Sequence, residues 1–205
     1  MNKRRKLKIL IFLFFLFLLI SAAKPYNYFT WFLEVVPALL GFAVLAAIYK
    51  KFEFSFFAYL LIFFHSVILM IGGHYTYGRV PLFNFVRDFF GFARNHYDRV
   101  GHFAQGFFPA IVIREILIRN NVVKNNNWLS FITISITLSV SVFYEFFEWW
   151  IAIFTGSAAG DFLGTQGDIW DTQWDMLWAL IGATLAVILL GKLHDKSLAK
   201  IGGKK

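Results

Sequence analysis

Acidic residues and histidines recur at helical spacing within four apolar stretches: His65; Asp98 and His102; Glu145 and Glu148; and Asp168, Asp171 and Asp175. An ionisable side chain at mid-bilayer costs about 2.5–3.5 kcal/mol on insertion scales. Several of them converging on one depth is the pattern of a site that moves protons or ligates a cation.

Asp98, His102, Gln105 and Pro109 follow i, i+4, i+7 and i+11, so a helix carries them on one face. Thr137, Ser141, Tyr144/Glu145 and Glu148 repeat that spacing in a second stretch. Two ionised glutamates one turn apart repel, so either a cation sits between them or one keeps a proton. The first option is a metal site and the second a general acid beside a general base. In a third stretch Gly164 and Gly167 permit a tight turn, Asp168 suits an N-cap and Asp171 the positive end of a helix dipole. Capping does not account for Asp175, one turn further in. Asp171, Asp175, Ala179, Gly182 and Ala186 share a face that is small below the acids, which allows close helix contact and turns the carboxylates into the bundle.

Candidate acid/base residues are therefore Glu148, Asp175, Glu145 and Asp98. Candidate metal ligands are His102, His96, Asp171 and Asp168, and Arg94 and Gln105 are candidate substrate contacts. His65 and His74 are weaker candidates, because a lone histidine in an apolar span is usually a hydrogen-bonded core residue. Arg99 reads as a solvated interfacial residue, Arg114 and Glu115 as an interfacial pair, and His194 as an inert residue of a basic tail.

The elements that must position these residues follow from composition. The chain has 205 residues, 59% hydrophobic and 16% charged, where a soluble domain is nearer 25% charged. It reads as an all-α polytopic membrane bundle, a single integral domain over residues 1–205. Six spans are expected: Leu7–Ala23, Trp31–Tyr49, Phe54–Ile71, Asp98–Ile118, Trp128–Phe154 and Asp171–Leu193. A short interfacial helix is expected around Phe83–Phe90. The first span, with Lys3 to Lys8 ahead of it and Ser21-Ala22-Ala23 at its end, also reads as a secretory signal; the retained helix is the reading adopted. With both termini cytoplasmic, fifteen of the twenty Lys and Arg residues fall inside, while nine of the twelve acids fall in the outer half. The net charge of +8 thus reflects orientation and anionic lipid rather than nucleic acid. No cysteine is present, so disulfides and thiolate chemistry are excluded.

The chain resembles the YjdF family of bacterial inner-membrane proteins over nearly its whole length. The resemblance rests on Gly73-His74-Tyr75-Thr76-Tyr77, Arg94-Asn95-His96-Tyr97-Asp98-Arg99, Tyr144-Glu145 with Glu148-Trp149, and Gly164-Thr165-Gln166-Gly167-Asp168 with Trp170-Asp171. It implies a multi-pass inner-membrane location and no particular reaction. A more distant similarity is to VanZ-like membrane proteins, through Asp98-Arg99-Val100-Gly101-His102-Phe103; Glu148 and Asp175 depart from that pattern and make this chain more acidic.

The residues support three expectations. The first is an enzyme with an outward-facing acid/base or divalent-metal site, acting on a lipid or lipid-linked envelope substrate, with zinc, manganese, iron or magnesium suited to oxygen and imidazole ligands. No HExxH, GxSxG or histidine-box spacing is present. The second is a non-catalytic protein that binds or transports a cation or small solute. The third is a polar network that only fixes helix register.

Overall fold

The computed structural model describes residues 2–124, 126–156 and 160–202. The chain order is α1 (Lys3–Ala22), α2 (Tyr28–Ile48), α3 (Phe56–Tyr75), a 3₁₀ turn (Tyr77–Arg79), α4 (Pro81–Phe90), α5 (Tyr97–Arg119), α6 (Asn126–Thr155), α7 (Gly160–Leu163) and α8 (Asp171–Gly202), with no strand among the described residues. The helix starts carry their own caps. Asn27 accepts from the amides of Phe29 and Thr30, and Ser55 from that of Ala58. Pro81 opens α4, and Gly91, at φ +68°, closes it.

Of the six expected spans, α2, α3, α6 and α8 are long and apolar enough to cross a membrane. The expected first and fourth spans are helices of 20 and 23 residues. Basic residues at the start of α1 and the polar content of α5 lower their hydropathy; α5 carries Asp98, His102 and Gln105 and packs closely on α8. Lys204 and Lys205, counted in the charge bias, lie outside the described residues. The expected interfacial helix is α4; Leu82, Phe85, Phe89 and Phe90 are exposed on it, which suits lipid, while Phe83 packs on Tyr97.

The bundle is centred on α5. Helix α8 lies closest to it, α3 and α6 pack on its other sides, and α2 and α1 pack outward on α3. The α5–α8 approach is a backbone contact. A Cβ added at Gly106 would lie 1.9 Å from the Ala179 carbonyl oxygen, and one at Gly182 would lie 2.2 Å from that of Phe103. Ala179, Ala183 and Ala186 are fully buried, as the small face of α8 predicts. This crossing sets the start of α5 directly against the start of α8.

Two expectations at the other end of these helices need correction. His194 is fully buried: its Nε2 donates to Glu115 at 3.1 Å and its Nδ1 accepts from Arg114 at 2.9 Å. Helix α8 continues past the apolar run and keeps packing on α5, so the basic tail hides an inward-facing residue. Nor do Arg114 and Glu115 pair with each other, since neighbours on a helix point about 100° apart. Arg114 reaches Asp195 at 2.7 Å, whereas Glu115 accepts from Ser55 and Arg119.

Candidate functional site

The site begins with two loops that dock on each other. Asn95, fully buried before α5, is clasped by Gln166 from the loop before α8. The Asn95 amide donates to Gln166 Oε1, and Gln166 Nε2 donates to the Asn95 carbonyl, each at 2.9 Å. Asn95 in turn donates to Val80 and Asn84 and accepts from the Tyr97 amide. Gly164 and Gly167, both at positive φ, give the second loop its turn.

Arg94 is buried within this junction. It donates to Asp171 and to the Gly164 carbonyl at 3.2 Å, and it stands 3.4 Å from Asp98 and 3.6 Å from Asp168. Burial opposes its charge, but Asp171, then Asp98 and Asp175, together raise its pKa. The expected substrate-binding arginine is therefore engaged by the protein's own acids. Arg99 is not a solvated residue either; it donates to Asp168 at 3.0 Å and lies over the Trp174 ring. Asp168 lies two residues ahead of Trp170, whose carbonyl begins α8, so it is not the N-cap; instead it accepts from the Trp170 amide. Two guanidinium groups thus hold Asp168 and Asp171, both expected as metal ligands.

One turn deeper, His102 is the hub. Its Nε2 lies 3.5 Å from Asp98 and 3.9 Å from Asp175; its Nδ1 lies 3.1 Å from Gln105 Oε1 and 3.5 Å from Glu145. All are buried or part-buried. Asp98, His102 and Asp175 each offer a ligand atom within 4.8 Å of the other two. No hydrogen bond reaches Glu145 Oε1 or Asp175 Oδ1, although both are buried. Acids and histidine from α5, α6 and α8 therefore meet in one cluster. His96 stays outside it, part-buried with its ring edge on Phe92; burial, then Arg99 and Arg94, lowers its pKa.

A cavity of about 340 Å³ adjoins the cluster, with Asp98, His102, Gln105, Pro109 and Glu148 on its wall. These are the residues of the expected polar faces of α5 and α6. His65 also lines it, stacked on Phe108, with Nε2 unpartnered. Three lining residues were not among the candidate site residues: Glu34, Tyr77 and Tyr144, the last of which the helical spacing had already put on the α6 stripe. Glu34 is buried and accepts from Tyr144 at 3.5 Å. An acid alone in the run Phe32-Leu33-Glu34-Val35-Val36 was the available signal. Tyr77 fills a slot left by glycines: added Cβ atoms at Gly72 and Gly101 would lie 2.1 and 2.6 Å from its ring. Burial, and then the charge of Glu34, pushes its phenol well above the usual range.

The sequence of residues 6–196 matches the family described as predicted membrane protein (DUF2238). The chain is also 42% identical over 187 residues to the inner membrane protein YjdF of Escherichia coli (strain K12), covering 91% of this chain and 90% of the relative. The chain belongs to the YjdF family. Its apolar helices and this relationship make it a multi-pass protein of the bacterial inner membrane. No solved structure matches it, and neither match extends the similarity to VanZ-like proteins. In this YjdF-family chain, the long motifs are the parts that assemble the loop junction and the buried cluster.

Proposed function

We propose that this protein is a membrane-embedded enzyme acting on a lipid or lipid-linked envelope substrate, with a divalent cation at Asp98, His102 and Asp175 and proton transfer by Glu148. The observation that carries the reading is the cavity. Its polar wall holds Asp98, His102 and Glu148, and the same lining includes Val140 and Phe143, which are 45% and 67% exposed on the face of α6. On the outer side α7 packs across α2 and α6, and its Phe162 is buried against Phe147. A substrate entering from lipid between α2 and α6 fits this shape better than one arriving from water.

The donor set suits a hard or borderline cation such as zinc, manganese, iron or magnesium. Buried carboxylate oxygens without a donor are costly unless a cation or a proton neutralises them, and Asp175 supplies one. A metal on His102 Nε2 would leave Nδ1–H to Gln105 or Glu145, which orients the ring. A bound ion would supply Lewis-acid activation, while Glu148, across the cavity wall, would exchange the proton. The positive-inside bias supports six spans with cytoplasmic termini, which puts this site in the outer half.

A second reading, cation binding without catalysis, draws on the polarity of the bundle. Beneath the cluster α5 buries Ala110 and Ile111, and the only polar residues α6 buries are the neutral Ser141, Thr137 and Thr133, so among the described residues of these two helices no buried charge follows until Glu115.

The deciding experiment is elemental analysis of the purified protein, followed by product analysis after incubation with labelled phospholipids and polyprenyl-phosphate-linked precursors. The proposal expects stoichiometric metal, absent from a folded His102→Asn/Asp175→Asn variant, and a metal-dependent product that Glu148→Gln abolishes. Metal without product would favour the second reading. No metal and no product in a folded protein would reject both.

A further inference from the structure

A larger cavity, about 530 Å³, lies away from the acidic cluster, between the first half of α1, the second half of α2 and the first half of α3. We infer that this cleft is a binding site for one anionic phospholipid of the leaflet that meets the α1 N-terminus, its acyl chain between the three helices and its phosphate at Arg4 and Lys8. The inference is independent of the outer site and of any reaction there.

The cleft has the depth of one leaflet. Along α1 its lining runs from Arg4 to Phe14, about 15 Å at the helical rise, or half of a hydrocarbon core about 30 Å thick. The deep end is closed. Phe14 is buried and stacked on Phe42 at 5.0 Å, and Ala38 is buried beside them. A single chain entering from the surface is therefore stopped near mid-membrane.

The rim is chemically different from the floor. Arg4 and Lys8 lie one turn apart, exposed, on the face of α1 that borders the cleft. Their neighbour Lys3 is already engaged, by Glu53 at 2.7 Å and the Phe54 carbonyl at 2.9 Å, and Lys6 lies over the Phe56 ring. Arg4 and Lys8 have no such acidic partner among the described residues, so they remain available for a phosphate. An apolar slot one leaflet deep, with two cations lacking an acidic partner at its mouth, specifies a phosphate ester on a hydrocarbon chain.

The test uses the full chain, purified in mild detergent and exposed in parallel to phosphatidylglycerol and phosphatidylcholine with matched acyl chains. Bound lipid is counted by native mass spectrometry and by extraction. The inference expects about one phosphatidylglycerol per protein, held in preference to phosphatidylcholine. Arg4→Gln/Lys8→Gln should weaken it about thirtyfold, since each basic residue near an anionic head group contributes about fivefold. Ala46→Trp, at an exposed position on the cleft wall, should displace the lipid while leaving both cations in place. Lys50→Gln/Lys51→Gln, equal in charge but off the cleft, should leave binding unchanged. Melting temperatures matching the wild type exclude misfolding, because Arg4, Lys8 and Ala46 are all exposed. Equal retention of the two lipids, equal loss in the two charge pairs, or full retention in Ala46→Trp would each overturn the site.

Discussion

The two ends of this bundle bury the same residue types to opposite effect. At the end that holds the α5 C-terminus, Glu115 and His194 are fully enclosed, and their polar atoms are all engaged. Glu115 Oε1 accepts from the Ser55 amide at 2.7 Å and from Arg119 at 3.0 Å; its Oε2 accepts from the Ser55 hydroxyl at 2.6 Å and from His194 at 3.1 Å. Four donors around one carboxylate strap α3, α5 and α8 together. At the opposite end, near the start of α5, His102 is also surrounded by carboxylates, yet Glu145 Oε1 and Asp175 Oδ1 receive no hydrogen bond, and a cavity lies alongside. A satisfied network fixes a fold, whereas an unsatisfied one holds electrostatic energy that a ligand can release. The difference separates a strap from a site, although both are built from glutamate and histidine brought together by the fold.

The comparison breaks first at the strap. Glu115→Leu leaves Ser55, Arg119 and His194 with unmet buried donors, and should cost about 3–5 kcal/mol of stability. Thermal unfolding in detergent would register it, with metal content unchanged in whatever fraction stays folded. Next is the crossing that serves both ends. Gly106→Val pushes a side chain into the Ala179 backbone and should cost about 1–3 kcal/mol. It should also loosen metal binding, because it parts Asp98 and His102 from Asp175. Unchanged melting would show that α5 and α8 do not touch there.

Smaller effects belong to the His102 end. Gln166→Ala removes both bonds that clasp Asn95, about 1–2 kcal/mol together, and should increase amide exchange across residues 94–96. Asp175→Asn sharpens the contrast most. Its orphan oxygen makes the expected stability change less than about 1 kcal/mol in either direction, while metal content should fall. A loss as large as that of Glu115→Leu would make the His102 cluster another strap.

The smallest effect is at His96. Its folded pKa lies below the ordinary 6.5, chiefly through burial, so the unfolded chain takes up its proton first as pH falls. Stability should therefore decline as pH drops through about 6.5 and level off below the folded value. His96→Gln should flatten that part of a melting-temperature profile.

Much of this was legible along the chain. Apolar runs mark the helices, because in a bilayer the backbone must bond within its own segment. The i, i+4, i+7 spacing marks the faces of α5 and α6 that line the cavity, and the small residues of α8 mark its approach to α5. The illegible parts depend on partners distant in sequence. Arg94 looks like a free cation until Asp171 and Asp168 fold back onto it. His194 looks like part of a solvated tail until α8 runs on beside α5. Glu34 is a single acid in an apolar run, with no periodic partner on its own helix.

The sequence by itself therefore determined the membrane class, the helices and which faces carry ionisable groups, since each follows from local periodicity and composition, while its long motifs carried the resemblance to the family. Only the tertiary structure decided which charged groups are neutralised and which are left over. That outcome depends on distances of a few ångströms between helices far apart in the chain, where one donor in reach turns a reactive carboxylate into a structural one.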